Sequence, residues 1–154
     1  SSTSAAQACA SRGGVQKPMT ERRGLLFVVL IGIQAAHSFE ECWFHLYDVF
    51  PPAALVARLI STDLAWGFAV ANLVLLNLAA WTYFERVRAD HPSATAWLWG
   101  WTALEVANGV SHLSFAVLRG GYAPGVITAP LLLTIGFTLG LDLVRHRPAP
   151  TVHS

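Results

Sequence analysis

The sequence predicts an all-α membrane protein, a four-transmembrane-helix up-down bundle, and three observations carry that prediction. Of the 154 residues, 54% are hydrophobic and only 12% are charged, about half the charge that coats an average soluble domain. The mean hydropathy is +0.48. The apolar residues gather into runs at 24–47, 64–84, 95–118 and 124–144. Each is close to the roughly 20 residues that a helix needs to cross about 30 Å of hydrocarbon. A net charge of +1 supplies no electrostatic footprint for nucleic acid. The cysteines, Cys9 in a polar stretch and Cys42 in an apolar one, provide no disulfide framework.

Taken in order, residues 1–20 are Ser-, Ala- and Gly-rich without an apolar period and are expected to form a disordered tail. A membrane domain follows over 21–147, and 148–154 form a short C-terminal tail. The first break, Asp48 to Asp63, contains Pro51-Pro52, which cannot continue a helix. The second, Glu85 to Ser93, reads as a charged turn. At the third, Arg119-Gly120-Gly121 stops one helix and Pro124 suits the first turn of the next. Short connections between long helices make neighbours antiparallel. Arg12, Lys17, Arg22, Arg23, Arg86, Arg88, Arg145 and Arg147 fall on one side of this arrangement, and only Arg58 and Arg119 on the other. The positive-inside rule then places both termini in the cytoplasm.

The unusual feature is the polar content of the first and third runs. At about 100° per residue, His37, Glu41 and His45 advance by roughly 40° each around one helix, with Glu40 about 60° to the other side and Gln34 within the same arc. On the third run Trp101, Glu105, Asn108 and His112 share an arc of about 60°. The two stripes match in height if both helices run in the same direction, so one pocket would join them. Each such group costs about 2.5–3.5 kcal/mol at a bilayer centre on insertion scales. Interhelical glue is the competing reading, but Ser, Thr or Asn would bind helices at lower desolvation cost. For Asn72 and Asn77, and for the Gly136–Gly140 pair, packing is the expected role.

Three motifs stand on these runs: His37-Ser38-Phe39-Glu40-Glu41 reads HxxEE, Asn108 to His112 reads NxxxH, and Pro124 to Thr128 reads PGxxT. In this order, over residues 24–144, they resemble the HXXEE family of small integral membrane proteins. The resemblance implies a membrane enzyme of unassigned reaction.

The residue types suggest metal-free acid–base chemistry on a lipophilic small molecule: isomerisation, cyclisation or hydrolysis. Adjacent carboxylates in an apolar pocket do not both ionise cheaply, which separates an acid from a base. Glu41 is the expected base or proton donor, His37 and His112 its shuttle partners, Glu40 or Glu105 the orienting carboxylate and Asn108 a donor to substrate. Thr128, Trp101 and His45 are expected to contact substrate, Thr128 beside the positive end of the fourth helix. No cofactor is required by this reading. The alternative is a zinc- or iron-dependent hydrolase or oxidase ligated by His37, Glu41, Glu105 and His112. A proton-coupled transporter or relay subunit is a further alternative. The expected partners are the lipid bilayer and the substrate, with no nucleic acid.

Overall fold

The computed structural model describes residues 17–145, the side chains from residue 21 onward. The expected tails at 1–16 and 148–154 lie outside the described residues, whereas Lys17 to Thr20, expected to be tail, are already helical. The elements are α1 (Lys17–Trp43), α2 (Leu46–Val49), α3 (Pro51–Ile60), α4 (Leu64–Thr82) with a π-helical turn (Tyr83–Val87), α5 (Ala94–Arg119) and α6 (Ala129–Arg145). The described residues contain no strand.

Local chemistry explains most of the boundaries. Asp63 accepts a hydrogen bond from the Trp66 N–H at 3.1 Å and caps α4. Gly120, at φ 67°, ends α5 in the left-handed conformation expected of a glycine stop. Pro51 and Pro52 break the chain as expected but then begin α3, where their missing N–H groups cost nothing. The segment read as a plain connection therefore holds a helix. Its Ala53 and Ala57 pack with Leu46, Tyr47 and Phe68, so closely that a Cβ on Gly67 would lie 2.3 Å from the Ala57 carbonyl oxygen. The charged turn also starts later than expected, because Val87 is drawn into the core with Phe27 and Leu98 and the helix runs on to reach it.

Two further boundaries depart from the sequence reading. The first apolar run was expected to be helical to Tyr47, but α1 stops at Trp43. His45 takes a left-handed φ of 54°, a conformation for which His is enriched, and the reversal buries Leu46 and Tyr47. The last helix begins at Ala129, not at Pro124; residues 124–128 form a turn.

Side-chain contacts define the directions of the long helices. Arg22 and Arg23 near the start of α1 each pair at 3.0 Å with buried Asp142 near the end of α6, while His37 reaches Thr128 just before α6. These helices are antiparallel. A Cβ on Gly136 would lie 3.0 Å from Val106 and one on Gly140 3.2 Å from Thr102, so α5 and α6 are a tightly packed antiparallel pair, and the two glycines serve the packing role expected of them. Helix α1 lies against α4 and α6, and it faces α5 diagonally, through side chains such as Phe27 and Trp101. Helices α4 and α5 meet near the π turn, where Trp101 Nε1 donates to Thr82 Oγ1 at 3.2 Å and Trp81 stacks edge-on to Trp97. Towards their other ends they part around a cleft.

Two helical stretches, Glu21–Trp43 and Leu64–Val87, are long and apolar enough to cross a membrane. Four were expected. Helix α6 has 17 residues, and α5 carries Glu105, Asn108 and His112 in its length, which lowers its hydropathy.

Candidate functional site

The centre of the site is Glu41. Its Oε1 lies 2.8 Å from His112 Nε2 and 3.3 Å from His37 Nε2. All three side chains are buried, and the imidazoles sit edge to face with centroids 4.6 Å apart. His37 and Glu41 are one turn apart on α1, so helical spacing alone brings them together. His112 arrives from α5, across the bundle. The sequence-level expectation that the two stripes share a height and a pocket is met by these distances.

Glu40 does something different. About 100° around α1 from Glu41, it reaches the turn before α6. Its Oε1 accepts from the Tyr122 hydroxyl at 3.0 Å, the Gly125 N–H at 3.1 Å and the Ile127 N–H at 3.2 Å. Its Oε2 accepts from the Thr128 N–H at 3.1 Å and the Thr128 hydroxyl at 2.7 Å. Convergent backbone N–H groups of this kind form an anion-holding concavity. The Glu40 carboxylate is that anion, so the PGxxT turn is a socket for the HxxEE motif.

Gly125 makes the socket fit. At φ 88° it has a conformation that side chains avoid, and a Cβ there would lie 2.6 Å from His112 Nδ1 and 2.8 Å from His37 Cε1. The turn also anchors both imidazoles: His112 Nδ1 lies 2.7 Å from the Pro124 carbonyl oxygen and His37 Nδ1 lies 2.6 Å from Thr128 Oγ1. Proton positions follow from the partners. A carbonyl oxygen only accepts, so His112 Nδ1 carries a hydrogen. The Thr128 hydroxyl donates to Glu40, so its oxygen accepts from His37 Nδ1–H. In their neutral forms both rings therefore aim an Nε2 lone pair at Glu41.

Glu41 and His112 form part of the lining of a cleft of about 400 Å³, together with Gln34, Asn72, Glu105, Asn108 and mostly apolar neighbours such as Phe68 and Leu104. Glu105 is 1% exposed, and its Oε2 has no hydrogen-bond partner. Asn108 lies beside this carboxyl.

Of the residues expected at the site, His37, Glu41, His112, Glu105 and Asn108 converge on the cleft or its wall. Glu40 and Thr128 stand behind them as anchors. Two expected contacts are absent. Trp101 packs in the core with Phe27 and Leu132, tied to Thr82, because the helix turns its indole toward α4. His45 is exposed against Tyr47, since the helix ends before carrying it onto the shared face. Sequence reasoning missed Tyr122 and Gly125 as parts of the site; the signal was PGxxT itself, taken for a helix start.

No curated protein and no solved structure matches the chain. A family model described as "Protein of unknown function with HXXEE motif" matches residues 28–139, a stretch that includes His37, Glu40, Glu41, His112 and the socket turn. The chain belongs to the HXXEE family.

Proposed function

We propose that the chain is an integral membrane enzyme that performs acid–base chemistry on a lipophilic substrate bound in the cleft between α4 and α5. The observation that carries this reading is a buried carboxyl, Glu105, with one oxygen that has no hydrogen-bond partner, in a largely apolar cleft that also reaches Glu41 and His112. An apolar cleft with a few convergent polar groups is a common form of small-molecule site. Burying a carboxyl oxygen without a partner is costly, and a substrate group that exchanges a proton with Glu105 Oε2 would meet that cost. Glu41 is engaged by two imidazoles, so the exchanging role falls to Glu105, with Asn108 orienting the substrate and Glu41 with its histidines facing the developing charge.

The membrane setting is supported by the two apolar helices and by the outward side chains of α1 and α6. Leu25, Phe39, Leu131 and Phe137 are each more than half exposed, which suits a lipid-facing shell. In this reading all four long helices cross the bilayer, α5 and α6 with their polar or short portions covered by neighbours. The described ends of the chain meet at the Arg22–Asp142 contact, the end that also holds Arg23, Arg86, Arg88 and Arg145, and the positive-inside rule makes it cytoplasmic. Cysteines introduced at Arg86 and Arg145 should then be labelled from the opposite side to cysteines at Arg58 and Arg119. A proton relay fits less well, because Phe27, Leu30, Trp101, Leu139 and Leu143 fill the cytoplasmic half with apolar packing.

The test uses proteoliposomes containing a total lipid extract, compared by mass spectrometry for the wild-type chain and Glu105→Gln. The expected result is interconversion of a lipid-soluble compound by the wild type and at least a 100-fold slower rate in the variant. No conversion by the wild type, or equal conversion by both, overturns the reading.

A further inference from the structure

We infer that His37 Nε2, His112 Nε2 and Glu41 bind a divalent first-row metal ion, zinc or iron(II), with an open position toward the cleft. The inference deepens the enzyme reading and depends on it only for where the substrate sits.

Protons and lone pairs do not balance among these three side chains. Both Nδ1 atoms hold their hydrogens against acceptors: the Pro124 carbonyl for His112 and the Thr128 hydroxyl oxygen for His37. Three electron-pair donors then converge, two Nε2 atoms and the Glu41 carboxylate, with ligand atoms all within 4.8 Å of one another. Left alone, this arrangement is repulsive. A single added proton satisfies one contact, between His112 and Glu41 at 2.8 Å. It leaves His37 Nε2, on a ring that is 0% exposed, without a hydrogen-bond partner. One divalent cation satisfies all three donors together.

Geometry and surroundings point the same way. Ligand atoms each about 2.0–2.1 Å from a tetrahedral zinc stand roughly 3.3 Å apart, and His37 Nε2 is 3.3 Å from Glu41 Oε1. The His112 contact needs to open by about half an ångström to match, and the widest ligand-atom separation, up to 4.8 Å, needs to close around the ion. Metal-binding histidines typically donate their other ring N–H to a carbonyl or carboxylate, fixing tautomer and orientation. Here one donates to a carbonyl, and the other to a hydroxyl that itself donates to Glu40. Two imidazoles and one carboxylate make the ligand set of catalytic zinc sites and of open-sided iron(II) sites. Glu105, in the cleft that Glu41 and His112 also line, is left free as the proton-exchanging group.

The experiment is metal binding by the detergent-purified full chain. Wild-type protein is stripped with chelator, then titrated separately with Zn(II), Fe(II) under anaerobic conditions, and Co(II) as a spectroscopic probe. The expected result is one ion per chain, with X-ray absorption showing two imidazole ligands. His37→Ala and His112→Ala, verified as folded by circular dichroism and gel filtration, should lose stoichiometric binding. Thr128→Val keeps every ligand but removes the His37 anchor, and should weaken affinity about 10- to 100-fold. If the wild-type chain takes up none of the three ions, the inference is overturned, and this result needs no variant to fold. Binding that persists unchanged in folded His37→Ala and His112→Ala overturns it equally. These readouts are independent of turnover: a bound metal with no lipid conversion would sink the enzyme reading and leave the metal site standing.

Discussion

Glu40 and Glu41 are neighbours in the chain and opposites in surroundings. Five hydrogen bonds close on Glu40 from Tyr122, Gly125, Ile127 and Thr128, whereas Glu41 meets two ring nitrogens. One carboxylate is fully supplied with donors and stands outside the cleft. The other sits at the cleft, among groups that all want a cation. The difference teaches how a helix can use a pair of adjacent acids: a step of about 100° sends one into the scaffold and the other to the cleft. The scaffold acid is then linked to the cleft acid indirectly, through Thr128 and His37.

The change that strikes both regions at once is Gly125→Ala. A left-handed alanine costs about 1–2 kcal/mol, and forcing its methyl against His37 and His112 adds about 1–3 kcal/mol. Denaturant unfolding in detergent should show a loss of about 2–5 kcal/mol, together with loss of any activity. A variant as stable as the wild type would mean that the socket is looser than its contacts imply.

Next in size is the contrast itself. Glu40→Gln turns an acceptor oxygen into a donor amide facing N–H groups, and should cost about 1–3 kcal/mol of stability. Glu41→Gln should cost less than about 1 kcal/mol, since it relieves the burial of a charge, while eliminating turnover. Paired unfolding curves and lipid-conversion assays read both quantities. Should Glu41→Gln prove the more destabilising and remain active, the two acids have exchanged roles and the division between scaffold and chemistry fails.

Much of this arrangement was legible in the sequence because helical periodicity is a local property. The spacing of His37 and Glu41, and of Glu105, Asn108 and His112, fixed which side chains share a face before any contact was known. The same arithmetic split Glu40 from Glu41. What it could not supply was the partner of Glu40, which lies 82–88 residues away in the chain. PGxxT offered two local outcomes, a Pro-initiated helix or a tight turn, and tertiary hydrogen bonding to Glu40 selects the turn. His45 failed for a related reason: its periodicity is correct, but burial of Leu46 and Tyr47 ends the helix before periodicity applies. The Arg22–Asp142 contact, joining residues from opposite ends of the chain, had no local signal.

The smallest expected effect tests how far the Glu40 socket reaches toward the surface. Tyr122 is 48% exposed, and its hydroxyl gives Glu40 one of five hydrogen bonds. Solvent screening at such a site reduces the worth of that bond, and Tyr122→Phe should cost about 0.5 kcal/mol at neutral pH. Partial desolvation, then the hydrogen bond and charge of Glu40, push the Tyr122 phenol up to about 12 from an ordinary value of 10.0. A folded value above the unfolded one means that the neutral phenol is the form the fold favours. Its contribution is therefore intact below about pH 10 and disappears as the pH rises through about 12. The stability difference between wild type and Tyr122→Phe should accordingly hold constant to about pH 10 and shrink above it. In the alkaline absorbance titration, one phenolate signal present in the wild type and absent from Tyr122→Phe should appear late. If that signal instead rises with an ordinary midpoint, the hydroxyl is not held by Glu40 in solution, and the socket closes on four donors rather than five.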